Sequence, residues 1–119
     1  MSVACRLGDY YREGKQLKYS PNQAHRWYSV SALAGDPADQ NNLASCYLHG
    51  IGCRPNPRQA AKWYALSASQ GHPTGQYNLA LCYLNGRGVP VNLDEARAWL
   101  ARAADQGEPG AAETLAAIM

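Results

Sequence analysis

Apolar positions along this chain recur at helical spacing, and the whole arrangement then repeats. Asn42-Leu43-Ala44-Ser45-Cys46-Tyr47-Leu48-His49-Gly50-Ile51-Gly52 returns as Asn78-Leu79-Ala80-Leu81-Cys82-Tyr83-Leu84-Asn85-Gly86-Arg87-Gly88, an offset of 36 residues at every position. Leu7, Tyr11 and Gly14 form a fainter copy 36 residues before Leu43, Tyr47 and Gly50, and Leu115 stands 36 after Leu79. Trp27, Trp63 and Trp99 keep the same spacing, as do Ala24, Ala60 and Ala96. Leu43 and Tyr47 are four apart and share one helix face. Further on, Ala60, Trp63, Tyr64, Ser67 and Ala68 follow i, i+3, i+4, i+7, i+8, the stripe of a helix that buries one side. Each unit therefore reads as two helices.

Polar and special residues punctuate the same period. Gly50 and Gly52, like Gly86 and Gly88, stop the first helix and make a loop. Ser20, Asn56 and Asn92 stand where a helix cap is needed, and Gln23, Gln59 and Glu95 follow three residues later, the sequence of a capping box. Pro21 and Pro57 fall where a missing N–H costs nothing. Gly35, Gly71 and Gly107 end the second helices, and Pro37, Pro73 and Pro109 follow two residues on, placed to seat the next first turn. The chain is predicted as one all-α domain over 1–119: helix pairs over about 3–36, 37–72 and 73–108, then a terminal helix over 109–119. A single pair cannot hide its apolar stripe, so pair must stack on pair into a curved solenoid with a concave side.

Composition narrows the function classes. The chain has 119 residues and a net charge of +2, too small and too mixed in sign for a nucleic-acid partner. Mean hydropathy is −0.44, and no apolar run reaches the roughly 18 residues of a membrane span. Met1-Ser2-Val3-Ala4-Cys5-Arg6 lacks a secretory signal, so export is not expected. Charge is unevenly spread. Between Gln40 and Leu93 stand Arg54, Arg58, Lys62 and Arg87 with no Asp or Glu, whereas from Asp94 onward there are five acidic and two basic residues. Two readings fit: the charges form a solvated convex face, or a basic middle favours an acidic partner, with the acidic end available for head-to-tail contacts.

These motifs resemble the Sel-one-like repeat family, relatives of the tetratricopeptide repeat. Its pattern is matched by Leu79-Ala80-Leu81-Cys82-Tyr83-Leu84-Asn85-Gly86-Arg87-Gly88-Val89, with Ala80 in place of Gly. It is matched again by Ala60-Ala61-Lys62-Trp63-Tyr64-Ala65-Leu66-Ser67-Ala68-Ser69-Gln70-Gly71, with Ser67 in place of Ala. Leu7-Gly8-Asp9-Tyr10-Tyr11-Arg12-Glu13-Gly14 fits as well, but Gln16 replaces the second Gly, which predicts a differently shaped first loop. The resemblance covers almost the full chain. It implies a right-handed α/α superhelix and a non-catalytic role as adaptor or scaffold for other proteins, often in bacterial signalling, envelope and secretion systems. Fold alone does not fix function.

Several motifs that could carry chemistry are also explained by packing. Gly50-Ile51-Gly52 and Gly86-Arg87-Gly88 lack the Gly-Lys-Ser/Thr ending and preceding strand of a phosphate loop, and read as helix–helix turns. Cys46-x-x-His49-x-x-x-Cys53 has tolerable metal spacing, but Cys46 falls on the core face and Asn85 replaces His49 in the next copy. A catalytic or metal-dependent protein built on Cys46, His49 and Cys53 is the alternative of another class. No metal or cofactor is expected. The tyrosine and tryptophan columns read as core. His25, His49 and His72 occupy three different repeat positions, and none has the sequence-local partner of a triad. Cys46 and Cys82 are equivalent residues on neighbouring helices, whose axes pack about 8–10 Å apart. That exceeds the roughly 7 Å a disulfide spans between Cα atoms. The disulfides of some secreted members of the resembled family use a spacing absent here. Reduced thiols and a cytoplasmic home are expected.

By analogy with related repeats, the first helix of each unit lines the concave side. Asn42, Ser45 and His49 point away from the core at i, i+3, i+7; their copies are Asn78, Leu81 and Asn85, and before them Arg6, Asp9 and Glu13. These nine are the predicted partner-binding residues, facing a protein or peptide. Asn42 and Asn78 can grip a peptide backbone or bond to a neighbouring helix, and Leu81 can accept an apolar anchor. At the other end, Leu115, Ile118 and Met119 begin a fourth unit. Either this helix covers the array, or its apolar edge seeks a second chain, as homodimer or as growing assembly.

Overall fold

The computed structural model describes residues 21–119, with side chains from His25 onward. Six helices run along them: α1 (Pro21–Leu33), α2 (Pro37–His49), α3 (Pro57–Ser69), α4 (Pro73–Asn85), α5 (Leu93–Asp105) and α6 (Ala111–Ile118). No strand occurs among the described residues. Each helix packs on its predecessor and successor, and α2 also meets α4 directly. That is the all-α solenoid the period predicts. The predicted first helix of the first pair, the Ser20 cap and the loop at Gln16 lie outside the described residues.

The caps form as read, but the capping boxes do not close: the Asn56 N–H donates to the Tyr47 carbonyl and the Asn92 N–H to the Tyr83 carbonyl rather than to Gln59 and Glu95. The side chain of Asn56 accepts from the Gln59 N–H at 3.2 Å, and that of Asn92 from the Glu95 N–H at 3.1 Å, each satisfying one orphan donor of a first turn. Gly50 and Gly86 adopt left-handed conformations and donate to the carbonyls of Cys46 and Cys82. Pro37 and Pro73 open α2 and α4, where Asp36 caps α2 by accepting from the Asp39 N–H at 3.1 Å. The last helix departs from expectation. Pro109 does not open α6, which begins at Ala111 instead, because Gly110 takes a φ of +81° and turns the chain once more. Ala38 and Thr74 hold that position in the earlier units, and both are helical.

Three apolar clusters follow one another along the array. The first gathers Tyr28, Ala32, Leu43 and Cys46; the second Ala60, Tyr64, Ala68, Leu79 and Cys82; the third Ala80, Leu100, Ala103 and Ala111. Trp27, Trp63 and Trp99 are half-buried against them, so their rings seal the edges of the core. Arg102 lies over the Trp99 ring, 4.5 Å from its centre. Within each helix the small buried residues allow close approach.

Side-chain amides join neighbouring pairs at the same period. Gln40 donates to the Ala32 carbonyl and accepts from Gln70; Gln76 donates to the Ala68 carbonyl and accepts from Gln106. Each glutamine thus ties a first helix to the second helices on both sides of it. A second column changes in matched steps. Ser31 donates to Asp39; Ser67 faces Gly75, where a Cβ would stand 2.8 Å from the Ser67 Cβ; Ala103 and Ala111 are both buried. With no side chain opposite, the Ser67 hydroxyl donates to the Pro37 carbonyl at 2.7 Å. One site therefore has three solutions in one chain: a polar pair, a hydroxyl against a glycine, and two methyls.

Candidate functional site: a cleft between the first helices

Where α2 and α4 lie side by side, a cleft of about 360 Å³ opens between them. Ser45, Leu48 and His49 of α2 form one wall, and Asn78, Leu81, Cys82 and Asn85 of α4 the other. Tyr64 of α3 reaches the floor, and Arg87 stands at the loop end. The two walls are different sides of equivalent helices. The α2 set lies at i, i+3, i+4, whereas the α4 set begins three positions earlier in the repeat and runs i, i+3, i+4, i+7.

Five of the nine residues predicted to face a partner line this cleft: Ser45, His49, Asn78, Leu81 and Asn85. Asn42 does not, and is half-buried within the array. Arg6, Asp9 and Glu13 lie outside the described residues. Ser45 is a wall and not a free hydroxyl: it is 8% exposed and shares a hydrogen bond of 2.9 Å with the Tyr64 hydroxyl. Asn78 donates to the Asn41 side chain at 2.9 Å, so its amide helps hold α4 against α2. His49, Asn85 and Arg87 are exposed, and Leu81 is half-exposed.

Sequence reasoning missed Leu48, Tyr64, Cys82 and Arg87. Leu48 carried a signal, since it lies three residues after Ser45 and so shares its face. Arg87 had been noticed only as part of a basic stretch. Its guanidinium pulls the Cys82 thiol toward ionisation, but burial dominates and pushes that thiol up to about 11. Cys82 is therefore a neutral thiol at physiological pH and not a nucleophile. Among the described residues no acidic side chain lines the cleft. Its described lining is two leucines, two amides, two hydroxyls, a thiol, a histidine and one arginine.

The metal arrangement suggested by Cys46, His49 and Cys53 is split by the fold. Cys46 is buried in the first cluster while His49 is exposed. Cys53 spends its thiol on the Cys46 carbonyl, 3.6 Å away, and burial raises its pKa. Among the described residues no three His, Cys, Asp or Glu side chains gather as a metal site. Cys53 and Cys82 are free thiols. No helix among the described residues is long and apolar enough to cross a membrane.

Comparison with known proteins places this architecture. The family model of the Sel1 repeat matches residues 2–36, 37–72 and 73–108. Among solved structures, a protective antigen of uropathogenic Escherichia coli strains with an SLR fold is 36% identical, with a TM-score of 0.84. A Sel1 repeat protein from Oxalobacter formigenes is 32% identical, with a TM-score of 0.88. The matches cover 87% and 94% of this chain, but only 22% and 46% of those longer proteins. Cysteine rich protein B of Helicobacter pylori shares the fold at 19% identity and a TM-score of 0.80, over 94% of this chain and 86% of that one. No curated protein matches.

Proposed function

The chain belongs to the Sel1 repeat family, and on that premise we propose that it is a non-catalytic scaffold or adaptor that holds a protein or peptide in the concave cleft between α2 and α4. The observation that carries this reading is a contrast within the repeat. Leu43 and Leu79 stand at equivalent positions, are both buried and are identical; His49 and Asn85 stand at equivalent positions, are both exposed in the cleft, and differ. Packing holds the first set fixed, and a packing role leaves the second free to specify a partner. Two leucines beside amides and an arginine supply an apolar anchor point with polar contacts around it. The excess of basic residues from Gln40 to Leu93 supports an acidic partner. The named relatives come from bacteria, which supports a bacterial setting in signalling, secretion or immunity. The free thiols support a cytoplasmic home.

The test is affinity capture with a variant carrying Leu81→Arg and Asn85→Glu, whose sites are half-exposed and exposed. Ser45 is left alone because its hydroxyl is part of the core. Helix content should match that of the wild type by circular dichroism. A partner held by the wild type and lost from the variant is the expected result. A partner held equally by both would move the site away from the cleft.

A second reading rests on the C-terminal edge. Leu43 and Leu79 are buried, yet their counterpart Leu115 is only half-buried, and Met119 is 86% exposed. Self-association through this edge supports a homodimer or a growing structural assembly. Sedimentation should then show a heavier species that a Leu115→Ser, Ile118→Ser variant loses; an unchanged mass would remove the reading.

A further inference from the structure

The loop after α4 does more than close the cleft. Gly88 packs so closely on the first turn of α3 that a Cβ there would stand 2.5 Å from the Pro57 carbonyl carbon and 2.9 Å from the Arg58 nitrogen. The loop therefore bridges from the cleft mouth, where Arg87 stands, to the start of α3. On α3, Arg58 and Lys62 are four residues apart, so they share a helix face, and both are exposed. Arg54 is exposed in the segment just before. Among the described residues, Arg97 pairs with Asp94 at 3.0 Å; Arg54, Arg58, Lys62 and Arg87 stand in a span, from Gln40 to Leu93, that holds no Asp or Glu. Asp94 and Glu95 lie in the first turn of α5, the helix that follows the loop, and repel an acidic chain running that way.

From this we infer that an acidic polypeptide seated in the cleft leaves it past Arg87 and runs its carboxylates over a cationic ledge made by Arg54, Arg58 and Lys62. The inference rests on the cleft reading above and specifies the partner. It needs two linked parts: a short segment with an aliphatic side chain for Leu48 and Leu81, and an acidic tract beside it. The cleft segment supplies specificity, and the ledge supplies attraction that salt screens. The two contacts act as linked sites, so the tract raises the effective concentration of the segment.

The probe is a pair of phage-displayed libraries in which random short peptides are followed by either an oligo-glutamate or an oligo-glutamine tail. Peptides selected from either library are then synthesised with both tails and titrated. The expected result is binding about tenfold tighter with the glutamate tail. That advantage should shrink toward unity as salt rises from about 50 to about 300 mM. It should also vanish in an Arg58→Glu, Lys62→Glu variant, whose two exposed sites keep the fold. The oligo-glutamate tail without a selected segment should bind weakly. A tail advantage that survives charge reversal, or no advantage at all with peptides that do bind, overturns the ledge alone. If no peptide from either library binds the wild type, the cleft reading falls and the ledge with it.

Discussion

Gly88→Ala is expected to lower the unfolding free energy by about 2–5 kcal/mol, combining the roughly 1–2 kcal/mol of a left-handed Cβ with the roughly 1–3 kcal/mol of overpacking. Gly88 has a φ of +75°, and its added methyl would meet the backbone of Pro57 and Arg58. Backbone in a capped first turn cannot step aside as a flexible side chain can, since Asn56 is already fixed on the Gln59 N–H. Gly71 is the control. Its φ is +86°, yet nothing lies within 4 Å of a built Cβ, so Gly71→Ala should cost only the roughly 1–2 kcal/mol of the left-handed Cβ. Urea titration of both variants checks the difference, with the midpoint moving and the slope unchanged. Equal losses would show that the loop can lift from α3. Since Arg87 rides on that loop, Gly88→Ala should also weaken the preference for acidic tails.

The architecture was legible because repeats write it in one dimension. Asn56 and Asn92 cap their helices from within the next few residues, Gly50 and Gly86 stop theirs locally, and the stripe from Ala60 to Ala68 needs only helical periodicity. The period then fixes which pair stacks on which. Features that depend on two helices at once were less visible. Sequence reasoning gave both first helices the same outward face, but a cleft has two walls, so α2 shows Leu48 where α4 shows Asn78. The bond from Asn78 reaches Asn41 and not Asn42, a choice set by how α4 is rotated against α2. Gly110 looked like an ordinary helix position after Pro109, and its positive φ delays α6 by two residues. The glutamine ties hid for another reason: Gln40 and Gln76 recur with the period, but a recurring polar residue does not announce whether its partner is water or a neighbouring helix.

Tyr64→Ala should be the most damaging single truncation of the described core, at about 3–5 kcal/mol. Tyr64 is 2% exposed and packs in the second cluster, while its hydroxyl reaches Ser45 and its ring floors the cleft. Removing the ring therefore empties the core and deforms the binding wall together. The next repeat shows how the site can be rebuilt. Ser45 and Tyr64 occupy the positions that Leu81 and Leu100 hold 36 residues later, so both hydroxyl-bearing side chains are replaced by aliphatic ones. Tyr64→Leu alone leaves the Ser45 hydroxyl facing a hydrocarbon, which costs about 1–3 kcal/mol, and Ser45→Leu alone removes the bond between the two hydroxyls and crowds the tyrosine with a larger side chain. In the double variant neither hydroxyl remains, as in the third repeat, where Leu100 is fully buried. The double variant should recover about 1–2 kcal/mol relative to the sum of the single losses, a coupling well outside ordinary additivity. A denaturation cycle on the four proteins measures it. Additive losses would mean that the Tyr64 hydroxyl is satisfied without Ser45 and that the two pairs are not interchangeable solutions of one site. Recovery of stability with loss of peptide binding would show that the hydroxyl pair is kept at the cleft for the partner and not for the fold.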